Sequence, residues 1–98
     1  MLDLTIINAF YELKWFDGTV LHLPKPSEKV LRRVSSLDDS GLTELEQMDE
    51  IKKIVWDIIR QNDEGRKFTA KDLEQCDALV ASMIMKDYME EVERRLGE

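Results

Sequence analysis

The stretch Trp15–Leu31, WFDGTVLHLPKPSEKVL, sets the fold, because the hydrophobic period changes within it. Before it, Ile7, Ala9, Tyr11, Leu13 and Trp15 alternate with Asn8, Phe10, Glu12, Lys14 and Phe16, which is the period of a strand with one apolar face. Asp17-Gly18 is a hairpin signal, and Thr19–Leu23 reads as the returning strand. Pro24 and Pro26 stop the ladder. Ser27 then offers an N-cap to a short helix with Val30, Leu31, Val34 and Leu37 on one face.

The apolar pattern also selects the hairpin register. A two-residue loop would place Leu21 and Leu23 opposite Lys14 and Glu12, on the charged face. A three-residue loop, Phe16-Asp17-Gly18, places Trp15 opposite Thr19, Leu13 opposite Leu21 and Tyr11 opposite Leu23. A one-residue slip flips every side chain, so burial favours the second register. It calls for a type I turn followed by a left-handed Gly18, and it leaves Phe16 at the tip. Glu12 then faces His22.

Outward from the hairpin, the chain reads as helical. Thr43 and Glu46 in TELE match a capping box. The helix they open carries Leu45, Met48, Ile51, Ile54, Val55, Trp56, Ile58 and Ile59 over about 200° of its surface, so it is expected to be central and to run to about Asn62. Gly65 marks its end. Thr69 and Asp72 cap a third helix, expected to continue to about Leu96 as a rod of ~40 Å. Its apolar residues form two stripes on opposite sides. Leu73, Cys76, Leu79, Val80, Met83 and Ile84 make one, which is expected to fill the core. Met85, Tyr88, Met89, Val92 and Leu96 make the other, ~160° away. The expected architecture is α+β, an N-terminal β-hairpin packed on three α-helices. Residues 1–98 form a single domain, 1–24 hairpin and 25–98 helical.

Composition narrows the function. Net charge is −7, from 21 acidic and 14 basic residues, which disfavours phosphate backbones and anionic membrane surfaces. The single cysteine, Cys76, permits no internal disulfide and no cysteine-based zinc site, which points to a reducing compartment. No apolar run reaches the ~20 residues of a membrane span, and MLDLTIINAF lacks the basic start of a signal peptide. A cytoplasmic location is the expectation.

Catalytic and metal motifs are weak. In QNDEGRKFTAKDLE, placing Gly65 at the sixth position of a calcium loop puts Arg60 at the first ligand and Lys71 at the twelfth, where oxygen ligands are needed. His22 has no second group to make an acid–base pair in a cleft. Cys76 sits among Asp72, Glu74 and Asp77, the wrong field for a thiolate. The acidic clusters, including Asp38-Asp39 and Glu90-Glu91, read as solvated faces. No phosphate loop, metalloprotease helix or nucleophile elbow is present, so no enzyme, cofactor, metal or nucleic-acid role is expected.

The unassigned apolar groups point to protein–protein contact. Met85, Tyr88, Met89, Val92 and Leu96, with Phe16 at the hairpin tip, are the candidate partner-binding residues, and a homo-oligomer is expected.

The segment FDGTVLHLPKPSEKVLRRVSSL, within Tyr11–Leu37, resembles the tail assembly chaperones of long-tailed bacteriophages, small acidic proteins that open with an Asp-Gly hairpin and continue through a proline-containing link into helices. The resemblance implies a non-enzymatic binder that coats the tape-measure protein and is displaced by tail-tube subunits. It also implies a second, longer form made by ribosomal frameshifting. No individual functional residue carries over. The competing expectation is a small acidic adaptor or DNA-mimic inhibitor that engages a basic protein.

Overall fold

The computed structural model describes residues 11–37 and 41–96, with side chains to residue 94. Strands β1 (Tyr11–Lys14) and β2 (Val20–Leu23) are followed by helices α1 (Glu28–Ser35), α2 (Glu44–Ile59), α3 (Ala70–Gln75) and α4 (Ala78–Leu96). The architecture is α+β, with an antiparallel hairpin on a helical body. The part of the expected first strand that precedes Tyr11 lies outside the described residues, as does Asp38-Asp39.

The hairpin has the register that burial demands. Tyr11 faces Leu23, Glu12 faces His22 and Leu13 faces Leu21. The Trp15 amide donates to Thr19 O at 2.7 Å, and the Gly18 amide returns to Trp15 O at 2.9 Å. Gly18 has φ +88, the left-handed geometry that lets the turn follow the twist of the strands. Trp15, Leu21 and Leu23 are buried in consequence, while Phe16 projects from the turn.

Capping residues fix the helix starts. Ser27 Oγ accepts from the Val30 amide. Thr43 with Glu46, and Thr69 with Asp72, form complete capping boxes. Each satisfies two amides that the first helical turn leaves without a partner. The central helix α2 buries Ile54, Val55, Ile58 and Ile59 against α4 and the hairpin, while Leu45 at its start is exposed. It ends at Ile59, short of the expected Asn62, and its last turn tightens through Gln61 and Asn62. Arg33 of α1 donates to Asp57 at 2.8 Å and lies 3.1 Å from Glu50, which fastens α1 to α2.

The expected third helix is two helices. At Cys76 the backbone leaves helical geometry (φ −91, ψ 70), and Asp77 restarts it. The Asp77 carboxylate accepts the Val80 amide at 3.0 Å, and its carbonyl accepts the Ala81 amide at 2.8 Å, so Asp77 caps α4. The indole of Trp56 donates to Cys76 O at 3.0 Å, supplying a partner for a carbonyl released by the break.

This break changes which stripe is buried. α3 buries Leu73 and ends at the buried Cys76, whereas α4 has its own phase and buries Ala81, Ile84, Met85, Tyr88 and Val92. Leu79 and Met83 are turned outward, 66% and 64% exposed. The Tyr88 hydroxyl donates to Pro24 O at 2.5 Å, and Tyr11 meets the Tyr88 ring edge-on at 5.3 Å. Met85, Tyr88 and Val92 of the C-terminal stripe therefore belong to the core that seats the hairpin.

Candidate protein-binding surface

The hairpin tip is held by one loop, the segment between α2 and α3. Buried Asn62 organises it. Its amide nitrogen donates to Ile59 O and to Arg66 O, each at 2.9 Å, and its amide oxygen accepts the Arg66 N–H at 2.8 Å. Arg66 is thereby aimed at the hairpin. Its guanidinium lies 3.0 Å from the Asp17 carboxylate and stands over the rings of Trp15 and Phe68, at 5.8 and 5.1 Å. The Thr19 amide and then Arg66 hold the Asp17 carboxyl below its ordinary range. Trp15 meets Phe16 and Phe68 edge-on, at 5.1 and 4.9 Å.

The same loop grips β2. Glu64 accepts the His22 amide at 2.7 Å and lies 2.6 Å from His22 Nδ1, while Glu12 is 3.4 Å from Nε2. The contact with Glu64 raises the imidazole pKa, and the two bonds from His22 lower that of Glu64. His22 thus acts as a cross-link between strand and loop. Glu64, the larger partner, was hidden from sequence because the two residues are adjacent only in space.

Between the hairpin and α4 lies an apolar groove of 170 Å³, lined by Leu13, Lys14, Trp15, Phe16, Val80 and Ile84. Its floor is fixed by the core, since Trp15 and Ile84 are buried. Its rim is exposed, with Phe16 57% accessible. On the 3.6-residue period, exposed Leu79 and Met83 stand on α4 beside Val80 and Ile84, and Met83 borders a shallow hollow with Lys86, Asp87 and Glu90.

Of the residues expected to bind a partner, Phe16 lies at this groove. Met85, Tyr88 and Val92 do not: they are buried in the core, Tyr88 to 1% exposure, and Met89 is half-buried against it. Their free surface is spent on packing, because α4 is phased by its own cap at Asp77 and not by Leu73 and Cys76. The side chain of Leu96 lies outside the described residues. Leu79 and Met83 were assigned to the core from sequence and are outside it. The signal that could have found them is the run Cys76-Asp77-Ala78, which places a capping residue in the middle of the expected rod.

Among the described residues, no group of three or more His, Cys, Asp or Glu side chains is placed to hold a metal ion, and no helix is long and apolar enough to cross a membrane. Cys76 is fully buried, and burial pushes its thiol pKa up, away from thiolate chemistry. Many surface carboxylates face cations, as in Asp49 with Lys52 and Lys53, and Asp57 with Arg33 and Arg60. No family model, no curated protein and no solved structure matches the chain.

Proposed function

We propose that this chain is a non-enzymatic protein-binding module that takes apolar side chains of a partner on the groove between its hairpin and α4. The observation that carries the reading is the apolar groove of Leu13, Trp15, Phe16, Val80 and Ile84, in which Lys14 is the only charged lining residue among those described, with exposed Leu79 and Met83 next to Val80 and Ile84 on α4. Apolar side chains placed there would leave water without desolvating a fixed carboxylate.

The resemblance of the hairpin segment to phage tail assembly chaperones narrows the partner. In that reading the client is the tape-measure protein, a long helical chain with exposed apolar side chains, and tail-tube subunits later take its place. The setting is the bacterial host cytoplasm. The groove holds one client side chain, the flank of α4 accommodates its neighbours, and the net charge of −7 keeps the complex soluble. Pairing of Asp49 and Asp57 with cations supports this reading over an acidic adaptor or DNA mimic, which needs carboxylates left free for a basic partner.

Coexpression with the tape-measure protein of the same genome tests it. The chain should raise the soluble fraction of that protein and co-purify with it, and the double variant Phe16→Ser, Met83→Ser should lose both effects while keeping its circular dichroism. A tape-measure protein equally insoluble with and without the chain would end the proposal.

A further inference from the structure

The two edges of the hairpin are treated differently. β2 is covered: the His22 amide donates to Glu64 at 2.7 Å, and His22 O accepts the Asp63 amide at 2.9 Å. β1 is not. The bond from the Trp15 amide to Thr19 O, with the observed register, turns the main-chain groups of Tyr11, Leu13 and Trp15 toward β2. Those of Glu12 and Lys14 therefore point away from the sheet. Among the described residues nothing bonds to them, and both residues are exposed. A free edge of this kind is a template for another strand.

We infer that β1 pairs antiparallel with β1 of a second copy of this chain, with Leu13 at the two-fold axis and Glu12 of each copy opposite Lys14 of the other. The choice of occupant follows from charge. In an antiparallel pair that uses the outer edge, outward-pointing residues must face each other, which allows three registers about Glu12 and Lys14. Glu12 opposite Glu12 and Lys14 opposite Lys14 each set like charges directly across the ladder, which is unfavourable. Glu12 opposite Lys14 satisfies both, twice over, by symmetry. An isologous two-fold contact needs this kind of self-complementary surface. A lone edge lysine would discourage pairing, but Glu12 two positions earlier converts it into half of a matched set.

The apolar side of the strand agrees. Alternation puts Leu13 on the face opposite Glu12 and Lys14, where it lines the groove with Val80 and Ile84. Across the two-fold axis the two Leu13 side chains come side by side at the groove mouths. Phe16, in the turn, lies outside the paired strands. The inference stands apart from the client reading: a chain that dimerises but leaves the tape-measure protein insoluble would keep this and lose that.

Sedimentation equilibrium of the full chain near neutral pH, from about 1 μM to about 1 mM, tests it, since so short a ladder implies micromolar affinity or weaker. The wild-type chain should form dimers. Lys14→Glu alone and Glu12→Lys alone should each weaken self-association at least ~10-fold, because each sets two like-charge pairs across the axis. An equimolar mixture of the two variants should form a mixed dimer of near wild-type affinity, as opposite charges again face each other. Lys14→Glu is the cleaner variant, because among the described residues Lys14 makes no ion pair within the chain. Circular dichroism checks that both variants fold. A wild-type chain monomeric throughout, single variants that dimerise like wild type, or a mixture that stays monomeric would each overturn the inference.

Discussion

Glu64 accepts the backbone amide of His22 at 2.7 Å and meets the ring of the same residue at 2.6 Å, so one carboxylate ties both the main chain and the side chain of β2 to the loop after α2. The arrangement is pH-dependent in a calculable sense. The imidazole pKa is raised above 6.5, so its contribution to folding is complete below that pH and is lost as pH rises through the raised value. The Glu64 pKa is lowered below 4.5, so its contribution is present above that pH and is lost as pH falls through the lowered value. Both act together between 4.5 and 6.5. The stability difference between wild type and Glu64→Gln should be largest there and shrink toward alkaline pH. A difference unchanged up to about pH 9, in thermal melts, would refute the pairing.

Asn62 is buried and its side chain makes three hydrogen bonds, so Asn62→Ala should leave the Arg66 amide and the Arg66 carbonyl without their partner, while Ile59 O keeps the backbone amide of residue 62. The expected loss is ~2 kcal/mol in denaturant titration. Because Arg66 leans on Trp15, fluorescence of that indole should also change. A loss below about 0.5 kcal/mol would mean that water replaces the side chain at little cost.

Gly18 has φ +88 and open space where a Cβ would stand. Its substitution therefore tests backbone strain with no steric clash. Gly18→Val should cost ~1–2 kcal/mol, and Gly18→Asn clearly less, since asparagine tolerates left-handed geometry. Equal losses for the two variants would count against the turn.

The two sides of α4 should respond in opposite ways to charge. Val92→Glu buries a carboxylate in the core and should cost ~3 kcal/mol or more, enough to unfold much of the population of a small domain. Met83→Glu, at a position 64% exposed, should leave the melting temperature nearly unchanged. A folded Val92→Glu variant of normal stability would restore the C-terminal stripe as a surface.

Asp77→Ala removes the cap that restarts the chain as α4. A loss of ~1 kcal/mol is expected, against almost none for Asp77→Asn, which can still cap. Thermal denaturation that does not distinguish the two variants would show that the break is held by packing alone.

Much of this was legible in the residues because the signals are local. The register of β1 and β2 follows from alternation over Tyr11–Trp15 together with the turn chemistry of Asp17-Gly18. The starts of α1, α2 and α3 follow from Ser27, Thr43 and Thr69, whose side chains reach amides only a few residues away. What was lost began at Cys76-Asp77. A helical wheel assumes one unbroken phase, and a single capped break invalidates every assignment beyond it. Leu79 and Met83 were thereby placed inside, and Met85, Tyr88 and Val92 outside, the reverse of what is found.

The sequence by itself determined the α+β class, the hairpin register and the helix caps, since each depends on contacts within a turn or across a short loop. Only the tertiary structure decided which stripe of α4 is core, that Glu64 and Arg66 clasp the hairpin, and that Phe16 shares a groove with Val80 and Ile84 while Leu79 and Met83 are exposed. Those outcomes depend on how α4 is turned against α2 and β1. That rotation is set by close packing around Tyr88, Ile84 and Trp15, among residues far apart in the chain, and no local period encodes it.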